Sequence, residues 1–372
     1  MHEAVVVAAR RTPIATRGRA LASVSVEQLA AAAARAALDD ARAAGTVREP
    51  IADLVLGNCM GPGGNPARLA ALAAGLGVEV PGATVDRQCG SGLAAIIDAA
   101  TAIRAGDARP RIAGGAESAS TAPVRSRDGE AYERAPFAPE GFPDPEMTRA
   151  AEDLAAHDGI PRGRQDAHAR RSHERARDAR DAGRHRAEIV ELAGAREDDA
   201  IGAGERTIGR MPALFPGGTL TAATSTRISD GAAAVVLVPR TPGVEGLAVR
   251  AHAVVGCDPA LPGIGAALAI GALLAREGLW PGDLAALEIV EAFAAQHLAV
   301  LDRLGIEEDD PRVGADGGAL AFGHPWGASG AIAVVRLHSR LIRAGAPTGA
   351  LGVAAASVGG GLGIACLLEV VR

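Results

Sequence analysis

Lysine is absent: the 38 side chains counted as Lys or Arg are all arginine, and asparagine occurs only as Asn58 and Asn65, a bias typical of GC-rich coding. Aromatics are nearly missing, with two Trp, one Tyr and five Phe, so Ala, Val, Leu and Ile must fill the interior in thin layers. The four cysteines, Cys59, Cys89, Cys257 and Cys366, stand far apart with no CxxC pair and no His at a metal-ligand spacing. That pattern suggests neither a disulfide framework nor a zinc site. No apolar run reaches membrane-spanning length, and the run Met1 to Val7, closed by Arg10 and Arg11, has the wrong charge order for a signal peptide. The expectation is a cytoplasmic protein without membrane attachment. Acids number 44 against those arginines, for a net charge of -6, and the two signs interleave, so no basic face argues for nucleic acid.

The chain does carry 372 residues that are 48% hydrophobic, enough for two or three domains with full cores. Ala4 to Ala9 reads as a buried strand, Val26 to Ala44 as an Ala-rich helix capped by Ser25, Asp53 to Gly57 as a strand and Asn65 to Ala74 as a helix. Strand Ala83 to Asp86, helix Gly90 to Ala105 and strand Arg111 to Gly115 continue the alternation, which predicts an α/β protein with a mostly parallel sheet. The order returns after residue 246: strand Leu247 to Val255, helix Gly265 to Glu277, strand Leu287 to Val290, helix Ala292 to Leu304, a short segment near Val313 and helix Ala328 to Ala344. Strands near Leu351 to Ala356 and Ile364 to Val370 close it. In each half the third helix opens on a small-residue turn, Cys89-Gly90-Ser91-Gly92 and Gly327-Ala328-Ser329-Gly330, as in an internal duplication. The expected division is 1–119 with 217–245 as one half, 120–216 as a separate loop domain, and 246–372 as the second half. The middle stretch, rich in Pro, Arg, Asp and Glu with a polar helix Arg164 to Asp181, reads first as a solvated insertion and second as a lid.

Cys89 follows a short strand and precedes an apolar helix, so its sulfur would meet unpaired amides and the positive end of a helix dipole. His324 occupies the corresponding turn of the second half. If the halves pack as related units, the two would face each other as nucleophile and base.

Five collinear motifs sharpen this reading: Val85 to Leu93 around Cys89, Gly114-Gly115-Ala116-Glu117-Ser118-Ala119-Ser120, Glu291-Ala292-Phe293-Ala294-Ala295-Gln296, Gly317 to Gly330 around His324, and Gly359-Gly360-Gly361-Leu362-Gly363. Together they resemble the thiolase family over essentially the whole chain. The resemblance implies a duplicated αβαβα layered fold, a loop domain over the active site, and a homodimer or homotetramer. It also implies coenzyme A as acyl carrier, with acyl-CoA as substrate and no metal or tightly bound cofactor. The cysteine matching Cys89 would form an acyl-enzyme, the histidine matching His324 would activate it, and the amides of Cys89 and Gly359 would bind the oxyanion.

The departures matter as much. Ser357 stands where the family carries a second catalytic cysteine, the one that exchanges the proton of the substrate α-carbon, and a hydroxyl is a far poorer base than a thiol. Val290 replaces the asparagine that holds the water of a second oxyanion hole. Thr224-Ser225-Thr226-Arg227-Ile228-Ser229-Asp230 replaces Asn-Ala-Ser-Gly-Ile-Asn-Asp in the coenzyme region, so Thr226 takes a substrate-binding position and Arg227 the place of a glycine. Phe293 and Met147 match positions that line the acyl pocket. The implied function is acyl transfer through acyl-Cys89, by Claisen condensation or thiolysis. The alternatives are acyl transfer to an oxygen, nitrogen or thiol acceptor, and a silent acyl-CoA-binding homologue, which could pair with an active subunit as a hetero-oligomer.

Overall fold

A computed structural model describes residues 2–132, 134–202 and 205–372; Met1, Glu133, Ala203 and Gly204 lie outside it. Among the described residues the elements run β1 (Ala4–Arg11), β2 (Ala15–Thr16), α1 (Val26–Ala43), β3 (Leu54–Gly57), α2 (Pro66–Ala73), β4 (Gly82–Val85) and α3 (Ser91–Arg104). Then come β5 (Arg111–Glu117), β6 (Arg125–Arg127), β7 (Glu130–Tyr132), α4 (Met147–His157), α5 (Arg162–Asp181), β8 (Ser229–Pro239) and β9 (Gly246–Gly256). The chain ends with α6 (Gly265–Glu277), β10 (Leu284–Ile289), α7 (Ala294–Leu304), α8 (Ala319–Phe322), α9 (Trp326–His338), β11 (Leu351–Val358) and β12 (Leu362–Val371).

The strands form a ten-stranded sheet in the order β10-β11-β12-β9-β1-β8-β5-β3-β4, with β2 attached to β8. Helices α3 and α9 touch both flanks of it: α3 packs on β3 and β5 and also on β12, while α9 packs on β5 and β8 and also on β10 and β11. The two ends of the sheet therefore enclose a shared helical layer, whose apolar cluster runs through Leu93, Ile96, Val334 and Leu337. A second cluster, with Leu29, Leu38 and Val236, lies between the first flank and α1 and α2. A third, with Ile270, Leu273 and Leu367, lies under α6 and α7 on the other flank. Helix, sheet, helix, sheet, helix is the αβαβα layering. It is filled almost wholly by aliphatic side chains, as the shortage of aromatics requires.

The expectation of a mostly parallel sheet is corrected. Among the strands of the described residues, only β3–β4, β3–β5 and β10–β11 pair in parallel, while β1–β8, β5–β8, β1–β9, β9–β12 and β11–β12 are antiparallel. Strand β8 returns from the long middle stretch and enters between β1 and β5, running against both. Strands β11 and β12 are joined only by the turn Gly359 to Gly361, which permits no parallel crossover. The segment near Val313 is an isolated bridge to Leu287 rather than a strand. The helix placed at Ala328 to Ala344 starts earlier, at Trp326, and passes into a π turn, Ser339–Arg343.

Helix α5 is not the solvated face that its charge suggested. It buries Gln165, Asp166, His168, Ser172 and His173 along with Ala169, Ala176 and Ala179, and packs on α7 and α8. The chain after it is fastened by buried ion pairs. Arg11 reaches Glu188 at 2.9 Å and Asp198 at 2.7 Å, and Arg336 reaches Glu188 at 2.6 Å and also Asp316. Burial works against the Glu188 carboxylate, but Arg336 and Arg11 hold its pKa well below the usual range.

The central layer closes because backbone meets backbone. A Cβ on Gly115 of β5 would stand 1.9 Å from the Gly327 carbonyl oxygen, and one on Gly92 of α3 would stand 2.8 Å from the same atom. On Gly57 of β3 a Cβ would lie 2.4 Å from Gly92 N. These glycines serve close approach rather than unusual dihedrals. Gly115→Ala is therefore expected to cost about 3 kcal/mol, at the upper end of overpacking effects. It should also displace the turn before α9. Thermal unfolding near the wild-type midpoint would show instead that the contact has slack.

Candidate functional site

Strand β4 ends at Val85, and the turn Gln88–Gly90 feeds straight into α3. Gln88 is held at φ +45°, a left-handed conformation that costs a non-glycine residue about 1 kcal/mol or more. Local hydrogen bonds hold it there. Asp86 accepts from Gln88 N at 2.9 Å, and Ser91 Oγ accepts from Arg87 N at 2.7 Å and donates to the Gln88 carbonyl at 2.7 Å. The strained turn presents the half-buried Cys89 at the start of α3.

His324 comes from the other half, in the turn before α9, and its own N–H donates to the Arg227 carbonyl at 2.9 Å. Its Nε2 stands 3.2 Å from Cys89 Sγ. Its Nδ1 is 2.6 Å from Ser329 Oγ, and that hydroxyl donates its proton to the Pro325 carbonyl at 3.0 Å. Ser329 must then accept from Nδ1–H, which leaves the Nε2 lone pair facing the thiol. Burial pushes the Cys89 thiol up to about 12, an effect countered in part by the N–H groups of Cys89 itself and Gly359. Burial likewise pulls the His324 imidazole down to about 4. The resting pair is neutral thiol and neutral imidazole, and the two amides already face the sulfur.

Glu117 braces this junction from below. It accepts from Gly327 N at 3.0 Å, Cys59 N at 3.1 Å, Met60 N at 3.0 Å and Asn58 Nδ2 at 2.8 Å, tying the start of α9 to the loop after β3. Burial raises its carboxyl to about 7 against the pull of those donors. Phe137, from the middle stretch, packs on Gly359: a Cβ there would meet its ring at 2.7 Å.

The remaining sequence-derived positions divide. Thr226 donates to the Ala319 carbonyl at 2.6 Å, so its hydroxyl stabilises the His324 loop while the residue lines a cleft of about 320 Å³ with Met211, Leu214, Ser225, Arg227 and Leu320. Phe293, half-buried at the start of α7, pairs with Ser225 beside that cleft. Met147 opens α4 and is half-buried. Val290 is buried in the central cluster, its N–H bonded to the Ala355 carbonyl. Ser357 is engaged on two sides, donating to the Gly263 carbonyl at 2.6 Å and accepting from Ala266 N at 3.0 Å, so that it clamps β11 to the start of α6. Sequence reasoning missed Ser329, Gln88 and Phe137 as parts of the site. Ser329 had a signal, since it lies five residues after His324, one helical turn inside α9. Phe137 had none.

The family model described as Thiolase, N-terminal domain, matches residues 4–241, and the one described as Thiolase, C-terminal domain, matches residues 246–370. The provisionally named acetyl-CoA C-acetyltransferase YhfS of Bacillus subtilis (strain 168) is 40% identical over 378 residues, covering 99% of each chain. A crystal structure of the Bacillus anthracis acetyl-CoA acetyltransferase superposes with a TM-score of 0.89 at 33% identity, covering 100% of this chain and 99% of the other. That of human mitochondrial 3-ketoacyl-CoA thiolase in complex with CoA gives 0.87 at 29% identity, over 100% and 98%. Among the described residues, no helix is long and apolar enough to cross a membrane.

The buried imidazole sets a pH dependence. Only a neutral His324 can take a proton from the thiol, so any role it has as a base is lost as pH falls through its own pKa. The rate of Cys89 acylation should stay level as pH falls through 6.5, the ordinary imidazole value, and decline only toward about 4. Stopped-flow measurement of CoA release checks this; an acid limb centred near 6.5 would mean that the imidazole is solvated.

Proposed function

The chain belongs to the thiolase family, and on that premise we propose that it is an acyl-CoA acyltransferase working through an acyl-Cys89 intermediate, by Claisen condensation or its thiolytic reverse. The observation that carries the reading is the contact of Cys89 Sγ with His324 Nε2 at 3.2 Å, with the far nitrogen of the ring bound to Ser329. Cys89 attacks the acyl carbonyl as its proton passes to His324 Nε2. The developing oxyanion is met by the N–H groups of Cys89 and Gly359, the same amides that face the sulfur at rest. Collapse expels the leaving group, which takes the proton from His324, and leaves a thioester on Cys89. A second acceptor then attacks that thioester: the thiol of coenzyme A in thiolysis, or in condensation the α-carbon of a second acyl-CoA after its proton has been lost to a base. In either case the C–S bond to Cys89 breaks and the released thiolate takes up a proton.

Coenzyme A thioesters are substrates of thiolases, which hold no tightly bound cofactor. The cleft beside Thr226, Arg227 and Phe293 supports an approach for the coenzyme, with Phe293 and Met147 toward the acyl group. Residues 120–216, fastened by Arg11 and Arg336 and bearing Phe137, act as the cover of the site. A homodimer or homotetramer is supported by β4, an edge strand with exposed Ala83 and Thr84, and by exposed Leu69, Leu72 and Val78 nearby. The free cysteines suit a reducing cytoplasm.

The carbon chemistry is the slow part of this cycle. Ser357 commits its proton to the Gly263 carbonyl, and Val290 offers no polar atom where a second oxyanion donor would stand. Losing one such donor typically slows a reaction about 10²- to 10³-fold.

Mass spectrometry after incubation with a panel of acyl-CoAs should show acyl mass on the peptide containing Cys89, removed by free CoA. Cys89→Ala should abolish both the adduct and CoA release; release that persists in this variant removes Cys89 from the mechanism. Ser357→Cys combined with Val290→Asn should raise acetoacetyl-CoA thiolysis by about a hundredfold, the lower end of the range one oxyanion donor supplies. No gain in that assay, with acyl-Cys89 still formed, would point to acceptors other than carbon.

A further inference from the structure

Three buried ligand-type side chains meet on the face of the Glu291 turn that receives α5. They are His168 of α5, His297 of α7 and Glu291, which follows Val290 directly. His168 Nε2 is 3.2 Å from Glu291 Oε1, and the rings of His168 and His297 lie 4.8 Å apart between centroids. One ligand atom from each of the three falls within 4.8 Å of the others. Ser172 Oγ donates to the second carboxylate oxygen at 2.7 Å. His168 and His297 expose only 4% and 1% of their surface.

The hydrogen-bond accounting is unbalanced. His168 Nδ1 and both ring nitrogens of His297 have no partner among the described residues. An unmatched buried polar atom costs about 1–3 kcal/mol, and here the unmatched atoms belong to two adjacent rings. The acyl-transfer reading gives none of them a role. Moving either ring to a simple apolar contact would relieve the cost, yet the chain places two imidazoles and a carboxylate together.

Two imidazoles and one carboxylate are the donor set of first-row divalent cations, zinc foremost. We propose that His168, Glu291 and His297 form a structural site for a divalent cation of the zinc class, which pins α5 to the turn carrying Val290 and Glu291. Zinc holds such ligands at about 2.0–2.2 Å, so neighbouring ligand atoms sit roughly 3.3 Å apart. The His168–Glu291 pair is at that spacing already, and His297 would have to close the remaining gap from within 4.8 Å. A water would complete four-coordination, since Ser172 Oγ is taken up by Glu291 and Gly318 N.

Burial disfavours a charged imidazole at His297. The neighbouring guanidiniums are turned to other partners: Arg171 to Glu308, and Arg175 to the carbonyls of Val313 and Asp309. The sequence gives no warning of the site, because His168 and His297 lie in separate helices far apart in the chain.

The test uses the full-length, untagged protein expressed in zinc-supplemented medium and purified without chelator. Elemental analysis should find about one zinc per chain in wild type, the stoichiometry of a single structural site, and under about a tenth of that in His297→Ala and His168→Phe. Stripping zinc from wild type with a strong chelator should lower the thermal midpoint and re-addition should restore it, with neither response in the variants. Cobalt in place of zinc should give visible ligand-field bands without thiolate charge transfer, because the site holds no sulfur; this separates it from binding at Cys89. Metal-free wild type, or zinc content equal in wild type and variants, overturns the proposal. Where the variants fail to fold, the cobalt-substituted wild type decides, and absence of those bands overturns it too.

Discussion

Cys89 and His324 can touch only because the turns that carry them are separated by little more than backbone. Gly57, Gly92 and Gly115 leave no side chain between β3, β5, α3 and the Gly327 carbonyl, so the start of α9 settles directly on the first flank of the sheet. Every later feature of the site follows from that approach. It brings the two helix starts face to face and lets one half supply the sulfur while the other supplies its base. It also places Gly327 N on Glu117, which fixes the height of α9 against β5.

Within that junction the chemistry is set by exclusion of water. Burial raises the thiol and lowers the imidazole, so the pair stores no charge at rest. In the proposed mechanism the amides of Cys89 and Gly359, which face the sulfur, would also meet the negative charge that develops on the substrate oxygen. The left-handed Gln88 is the strained element in this arrangement. It is held by Asp86 and Ser91 within the turn and by Cys59 Sγ, from the loop after β3, which donates to its carbonyl at 3.2 Å.

The middle stretch is bound to the two halves by buried ion pairs as well as by small apolar clusters, such as Leu154 and Ile160 against Leu298. Arg11 and Arg336 are fully enclosed and share Glu188, so losing one of these side chains would strand a buried charge. The His168, Glu291 and Ser172 contacts repeat the theme closer to the reaction centre, joining α5 to the turn that carries Val290. A chain poor in aromatics has few large apolar plates with which to hold that stretch in place, and buried polar networks share the task with small aliphatic clusters.

Much was legible in the sequence by itself. Periodicity and small-residue turns located the strands and helices of both halves, because those features depend on residues near one another in the chain. The motifs picked out Cys89 and His324, which the structure brings to 3.2 Å of each other, and the resemblance they carry implied the layering. Boundaries moved by a residue or two where caps rather than apolar periodicity end a helix. Tertiary structure alone decided the strand directions, since β8 reaches its place only after an excursion of about a hundred residues that no local pattern reports. It decided that Ser357 is a clamp on α6, because its partners Gly263 and Ala266 are close only in space. It decided that the charged helix α5 faces inward, because its polar groups find partners on α7 and the Glu291 turn. Local pattern encodes which elements form; the pairing of buried polar groups across the chain determines how they face each other.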